Sequence, residues 1–204
     1  MNGLDSEDII GSVYGRDKML YAVSLGIDAV RQGNIITYSK PGKHHLGEAI
    51  NARISEQVRR VQAAFDRASI AYETPPDMMR MLWWKFMINV GVNQASAVMR
   101  ADYGVFQSSA PAQALMETLM GEVLALAEVA GVNLVQQDVQ GWYGVLNTLS
   151  PEGKTSMLQD IEAGRKTEVE VFDGKVVELG ETYGIPTPAN LTVLRIIQVL
   201  EGRG

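Results

Sequence analysis

The pattern of apolar and polar positions changes character near residue 50. Before it, apolar runs at 19–25 (MLYAVSL) and 34–39 (NIITYS) are rich in β-branched and aromatic residues. They are cut by Gly26, Gly33 and the Pro41–Gly42 turn, which predicts two short strands. Leu46 and Ile50 belong either to a third strand or to the entry of the next helix. Two or three such strands cannot bury both faces by themselves. From about residue 51 the apolar spacing is helical. An amphipathic helix is expected over 55–70, with Val58, Val61, Ala64 and Phe65 on its apolar side. Pro75–Pro76 then breaks the chain, and Asp77 is placed to cap a central helix. Further helices are expected over 110–130, 136–149, 155–183 and from Thr187 or Pro188 to about 200. Ser150–Pro151 reads as an N-cap followed by proline at the first helical position.

The central helix, 82–100 (LWWKFMINVGVNQASAVMR), is apolar nearly all round except for Lys85, Asn89 and Asn93. At roughly 100° per residue, each step of four advances only about 40°, so the three share one face. A helix of this kind is buried, and a lysine and two carboxamides within it need partners. One reading is a snorkelling lysine with two core asparagines. The other is a row of donors aimed at an anionic, oxygen-rich small molecule. In SMLQDIEAGRKTE, residues 156–168, Ser156, Asp160, Gly164 and Glu168 again fall at steps of four. A mid-helix Gly164 costs about 1 kcal/mol relative to alanine, which a close approach by a ligand or helix would explain. The plainer readings are a capping box of Ser156 with Gln159, and pairing of Asp160 and Glu168 with Arg165 or Lys166. Facing each other, the two stripes would enclose a small polar ligand, with the lysine placed to polarise or protonate an oxygen.

Composition narrows the classes. The 204 residues allow one large or two small domains. A net charge of −6 without a basic run argues against nucleic acid or an anionic membrane as the main partner. The absence of cysteine excludes disulfides, thiolate metal sites and a cysteine nucleophile. His44 and His45 are adjacent, so they point apart in an extended chain, and no metal site is expected. Neither G-x-G-x-x-G nor G-x-x-x-x-G-K-[ST] occurs. Asp5, Glu7 and Asp8 are unlike a signal peptide, and the uncharged run 86–99 is too short and polar to span a membrane. A cytoplasmic location is expected.

LWWKFMINVGVN, followed by SMLQDIEAGRKTEVEVFDGKVVELGETYGIPTPAN, strongly resembles the ketopantoate reductases (2-dehydropantoate 2-reductases). The resemblance covers essentially the whole chain, with Asn2–Gly3 resembling the Asn-Gly after a late strand of the family's nucleotide-binding domain. It implies a mainly α fold. An all-helical substrate-binding domain, like the C-terminal domain of ketopantoate reductase and 6-phosphogluconate dehydrogenase, would span 51–204. Residues 1–50 would be a short β-containing remnant, the last strands, of an NADP-binding Rossmann α/β domain. The implied reaction is NADPH-dependent reduction of 2-ketopantoate to pantoate, in pantothenate and coenzyme A biosynthesis. By resemblance, Lys85 is the catalytic acid, and Asn89, Asn93 and Ser156 hold the substrate's carboxylate and hydroxyl. Glu168 bridges substrate and cofactor, with Asp160 in a supporting role. Asn2 and the Ala29 backbone would touch NADP(H). The family's glycine-rich turn is not among these residues, so the chain alone is expected to bind NADPH poorly and to be slow or inactive. An exposed strand edge makes a homodimer a further expectation. Where the family often has a P-N-G turn, this chain has Ala101-Asp102-Tyr103-Gly104. The alternatives are a reductase of the same family acting on another 2-keto acid, or a non-catalytic helical module for small-acid binding or dimerisation.

Overall fold

A computed structural model describes residues 3–202, the side chains of 28–32 and 39–40 excepted. Helices dominate the described residues, beside one three-stranded sheet, in keeping with the mainly α fold expected. The chain divides into two compact units, Met1–Leu82 and Trp83–Gly204, each described by itself.

In the first unit, helix α1 (Ser6–Tyr14) leads into an antiparallel hairpin of β1 (Tyr21–Gln32) and β2 (Ile35–Gly47). Both strands outrun the apolar stretches that predicted them. Leu46 lies within β2, opposite Ala22, and Ile50 forms an isolated bridge with Asp77, so neither belongs to a third strand. That strand is β3 (Tyr72–Glu73), parallel to β2 at His44 and His45. Two residues paired at long range leave no local pattern to read. Helix α2 (Glu56–Arg67) is capped by Ser55, whose Oγ accepts from Val58 N at 3.2 Å. Val23, Met78 and Leu82 form the centre of the unit's core. Strand alternation sends the two histidines apart, as expected. His44 Nδ1 lies 2.7 Å from Ser24 Oγ on the neighbouring strand. His45 is buried, and burial lowers its pKa against the pull of Glu73.

Helix α3 (Met78–Ile88) is capped by Asp77, whose Oδ1 accepts from Arg80 N at 2.8 Å. In the second unit it passes into a π-helical segment, Asn89–Asn93, and then into α4 (Gln94–Met99). There follow α5 (Tyr103–Ser108), α6 (Ala110–Val129), α7 (Gln136–Leu146) and α8 (Ser156–Glu162). A second π segment, Glu170–Gly174, runs directly into α9 (Lys175–Tyr183), and α10 (Pro188–Glu201) follows. The rings of Phe86 and Phe172, 6.5 Å apart, join α3 to the second π segment.

Two expectations fail here. Ser150–Pro151 starts no helix; it lies in a turn closed by Gly153 N donating to Ser150 O at 2.9 Å. The long helix expected over 155–183 is two helices. Gly164, at φ +63°, ends α8 in the left-handed conformation, with Arg165 N donating to Asp160 O at 2.9 Å. Only glycine adopts that conformation without strain. Gly164 is therefore a helix stop, and Glu168 lies beyond it, off the face that carries Ser156.

The first π segment packs directly on α6. A Cβ at Gly91 would lie 2.5 Å from Met120 Cγ and 3.2 Å from the Met116 carbonyl. Gly91→Ala therefore forces these groups apart. A loss of about 1–3 kcal/mol is expected, read as a lower urea midpoint with an unchanged slope.

Candidate active site

Lys85 sits one turn before the first π segment, with Asn89 and Asn93 at that segment's two ends. The i→i+5 bonding of a π turn holds more residues than an α turn. The step from Asn89 to Asn93 thus falls short of a full turn, where the α step from Lys85 to Asn89 overshoots one. The two deviations oppose each other, which keeps the three side chains nearer one line than a straight α-helix would. Lys85 and Asn89 are half-buried and Asn93 is buried.

Burial pushes the Lys85 ammonium below its usual pKa, and the Glu168 carboxylate acts in the opposite direction. The structure thus brings these two residues within electrostatic reach, although they are far apart in sequence. The Glu168 backbone is fixed from both sides. Just before it, Thr167 donates both its N–H and its Oγ1–H to Glu201 Oε1 of α10, each at 2.6 Å. Just after it, the Glu168 carbonyl accepts from Val171 N and Phe172 N as the second π segment begins. The two π segments pack against each other.

Helix α8 packs against α4 and the first π segment, which sets its N-terminus beside the asparagine-bearing turn. The cap of α8 is Thr155 rather than Ser156. Thr155 Oγ1 accepts from Leu158 N at 3.2 Å and donates to Ser96 Oγ of α4 at 3.1 Å. Both hydroxyls are buried, and Ser96 in turn donates to the Ala101 carbonyl at 2.5 Å. Ser156 is thereby left exposed on the first turn. The Thr155–Ser96 tether escaped the sequence reading because it joins residues 59 apart; a threonine before S-x-x-Q was its one local sign. Asp160 is paired with Arg165, whose Nε and a terminal nitrogen lie 2.8 and 2.7 Å from its Oδ1. Asn2 lies outside the described residues, and Ala29 lies in β1 with its side chain outside them.

Residues 77–201 match the model of the family described as Ketopantoate reductase PanE/ApbA C terminal. The chain belongs to the ketopantoate reductase family. It is 25% identical over 203 residues to the 2-dehydropantoate 2-reductase of Halobacterium salinarum, covering all of this chain and 66% of that protein. It is 34% identical over 121 residues to that of Pyrobaculum aerophilum, covering 58% of this chain and 42% of that one. The solved 2-dehydropantoate 2-reductase of Methylococcus capsulatus superposes with a TM-score of 0.84 at 26% identity, over 99% of this chain and 64% of its own. A D-mandelate dehydrogenase solved with NADH superposes at a TM-score of 0.89 and 17% identity over 99% of this chain and 66% of its own, a likeness of fold. The chain spans just under two-thirds of the length of the Halobacterium salinarum relative and 64% of the Methylococcus capsulatus one. Among its described residues no helix is long and apolar enough to cross a membrane.

Two measurements follow from this geometry. Thr155→Ala removes a cap and a buried hydrogen bond and is expected to cost about 1–2 kcal/mol in chemical unfolding. Ser156→Ala is expected to stay within about 0.5 kcal/mol; equal losses would contradict the assignment of Thr155 as the cap. For Lys85, the folded chain releases its proton below the usual 10.5, so folding stability rises with pH between the folded pKa and 10.5. Glu168→Gln removes the opposing charge and is expected to move Lys85 further down, read from the Lys85 ε-carbon resonance during a pH titration. An unmoved titration would show that Glu168 does not act on Lys85.

Proposed function

We propose that this chain is the substrate-binding part of an NADPH-dependent 2-dehydropantoate 2-reductase, with 51–204 as the substrate domain and 1–50 completing a nucleotide-binding domain. The observation that carries the reading is the half-buried Lys85, opposed by Glu168 and followed by two asparagines on a π turn. π turns of this kind recur at functional sites.

In this reading the Lys85 ammonium donates to the keto oxygen of 2-ketopantoate and stabilises the negative charge that develops there as the carbonyl is reduced. Its depressed pKa makes it the readier proton donor. Asn89 and Asn93 present amide donors to the carboxylate or hydroxyl of the substrate, and Ser156, on the first turn of α8, adds a hydroxyl. Glu168 opposes the fall in the Lys85 pKa and, by the family's pattern, also reaches the cofactor. Asp160 acts through Arg165, which steadies the turn at Gly164. The nicotinamide cofactor supplies the hydride when bound. Among the described residues there is no glycine-rich strand-to-helix turn of the kind that cradles a pyrophosphate, and Asn2, the Ala29 backbone and Glu168 are the contacts this chain would offer the cofactor.

A second reading keeps the chemistry and changes the acid. Tyr103, at the start of α5, donates its N–H to Gly153 O at 3.0 Å. A Cβ at Gly153 would lie 3.0 Å from the Tyr103 ring. The bulky residue in the Ala101–Gly104 turn thus packs on the loop leading to α8 and would reshape the space available to a substrate. Calorimetric titration of the 204-residue chain with 2-ketopantoate, pantoate and other 2-keto acids tests both readings. Millimolar or tighter binding, weakened at least tenfold by Lys85→Ala or Asn89→Ala, is expected. Preference for another 2-keto acid would select the second reading. Binding indifferent to both substitutions would overturn the site.

A further inference from the structure

Asp173 belongs to none of the groups discussed so far. It lies in the second π segment at 0% exposure, and neither side-chain oxygen has a hydrogen-bond donor. An isolated buried carboxylate is among the costliest groups a fold can hold, so it must be paired, hydrogen-bonded or protonated.

Among the described residues no cation is bonded to it, and Lys85, on the helix that meets the segment at Phe86, is opposed by Glu168. The segment packs against α10, α9 and the first π segment. The first π segment, NVGVN, carries no titratable residue. On α9, Lys175 bonds Glu178 at 2.7 Å, and Glu181 and Tyr183 are exposed. On α10, Arg195 is exposed and Glu201 is taken up by Thr167. Within the segment, Glu170 accepts from Gln198 at 2.8 Å. Burial, with the anionic Glu122 of α6 acting in the same direction, pushes the Asp173 carboxyl well above the usual range.

Glu122 is already committed. It accepts from Ala189 N at 2.8 Å, Asn190 N at 3.0 Å and Asn190 Nδ2 at 2.6 Å, and so caps α10 from a different helix. Of the two carboxyls, Asp173 is the one without donors. Asn190 Oδ1, on the residue whose Nδ2 donates to Glu122, is likewise buried without a hydrogen-bond partner.

We propose that Asp173 is a neutral carboxylic acid in the folded chain at neutral pH, and that ionising it loosens the packing of the second π segment against α9 and α10. That packing bears on the candidate site. The same segment begins on the Glu168 carbonyl and carries Phe172, whose ring lies on Phe86, next to Lys85. The inference rests on the fold and stands whether or not the chain is a reductase.

The sign follows from linkage. The folded chain keeps a proton that the unfolded chain, near pKa 3.8, has lost. Stability therefore falls as pH rises above 3.8, until the folded group itself titrates. Urea unfolding of the 204-residue chain from pH 5 to 9 is compared with Asp173→Asn, which keeps the shape and cannot ionise. The ratio of the two unfolding constants is expected to change by up to tenfold per pH unit, with the variant the more stable at high pH. Infrared difference spectra give a readout that needs only folded wild type: the carboxylic acid carbonyl band at neutral pH, absent from Asp173→Asn. Parallel pH profiles, or no protonated carboxyl band in wild type at neutral pH, would overturn the proposal.

Discussion

The second unit is arranged around a half-buried ammonium. Lys85 stands on a helix that is otherwise apolar, and a charge in that position requires an opposing one. The chain provides Glu168, and the route to it accounts for much of the local structure. Gly164 turns the chain out of α8, and Thr167 is anchored to Glu201. The second π segment then starts on the Glu168 carbonyl itself. Burial lowers the pKa of the Lys85 ammonium, and the opposing carboxylate limits that fall.

The two π segments give this arrangement its local shape. The first interrupts the α-helical register between α3 and α4, the second forms the start of the helix that continues as α9, and the two lie against each other. Gly91 lets the first approach α6 to within methionine contact, and Phe172 fixes the second on Phe86. An α-helical register through the first segment would rotate Asn93 and the residues beyond it relative to Lys85.

Much of this was legible in the sequence. The helices rest on strong 3.6-residue patterns, and the row of Lys85, Asn89 and Asn93 is visible as spacing alone. The resemblance to the ketopantoate reductases, read from two stretches, agrees with the family to which the chain belongs. The failures share a cause, since a period-four count assumes that the helix continues. It placed Ser156 and Glu168 on one face because nothing local marks residues 165–169 as non-helical, except a glycine that also fits a mid-helix contact. The π turns, the Thr155–Ser96 tether and the strand at Tyr72–Glu73 depend on partners distant in the chain and leave almost no local signature.

The anchoring of Thr167 by Glu201 has a practical side. Glu201 is the final residue of α10, and terminal helical turns are where order is first lost. Its two hydrogen bonds hold the peptide that leads into Glu168, so fraying of the last turn of α10 is transmitted to the middle of the unit. A substitution at Glu201 would therefore act on the Lys85 ammonium through the backbone that carries its opposing charge.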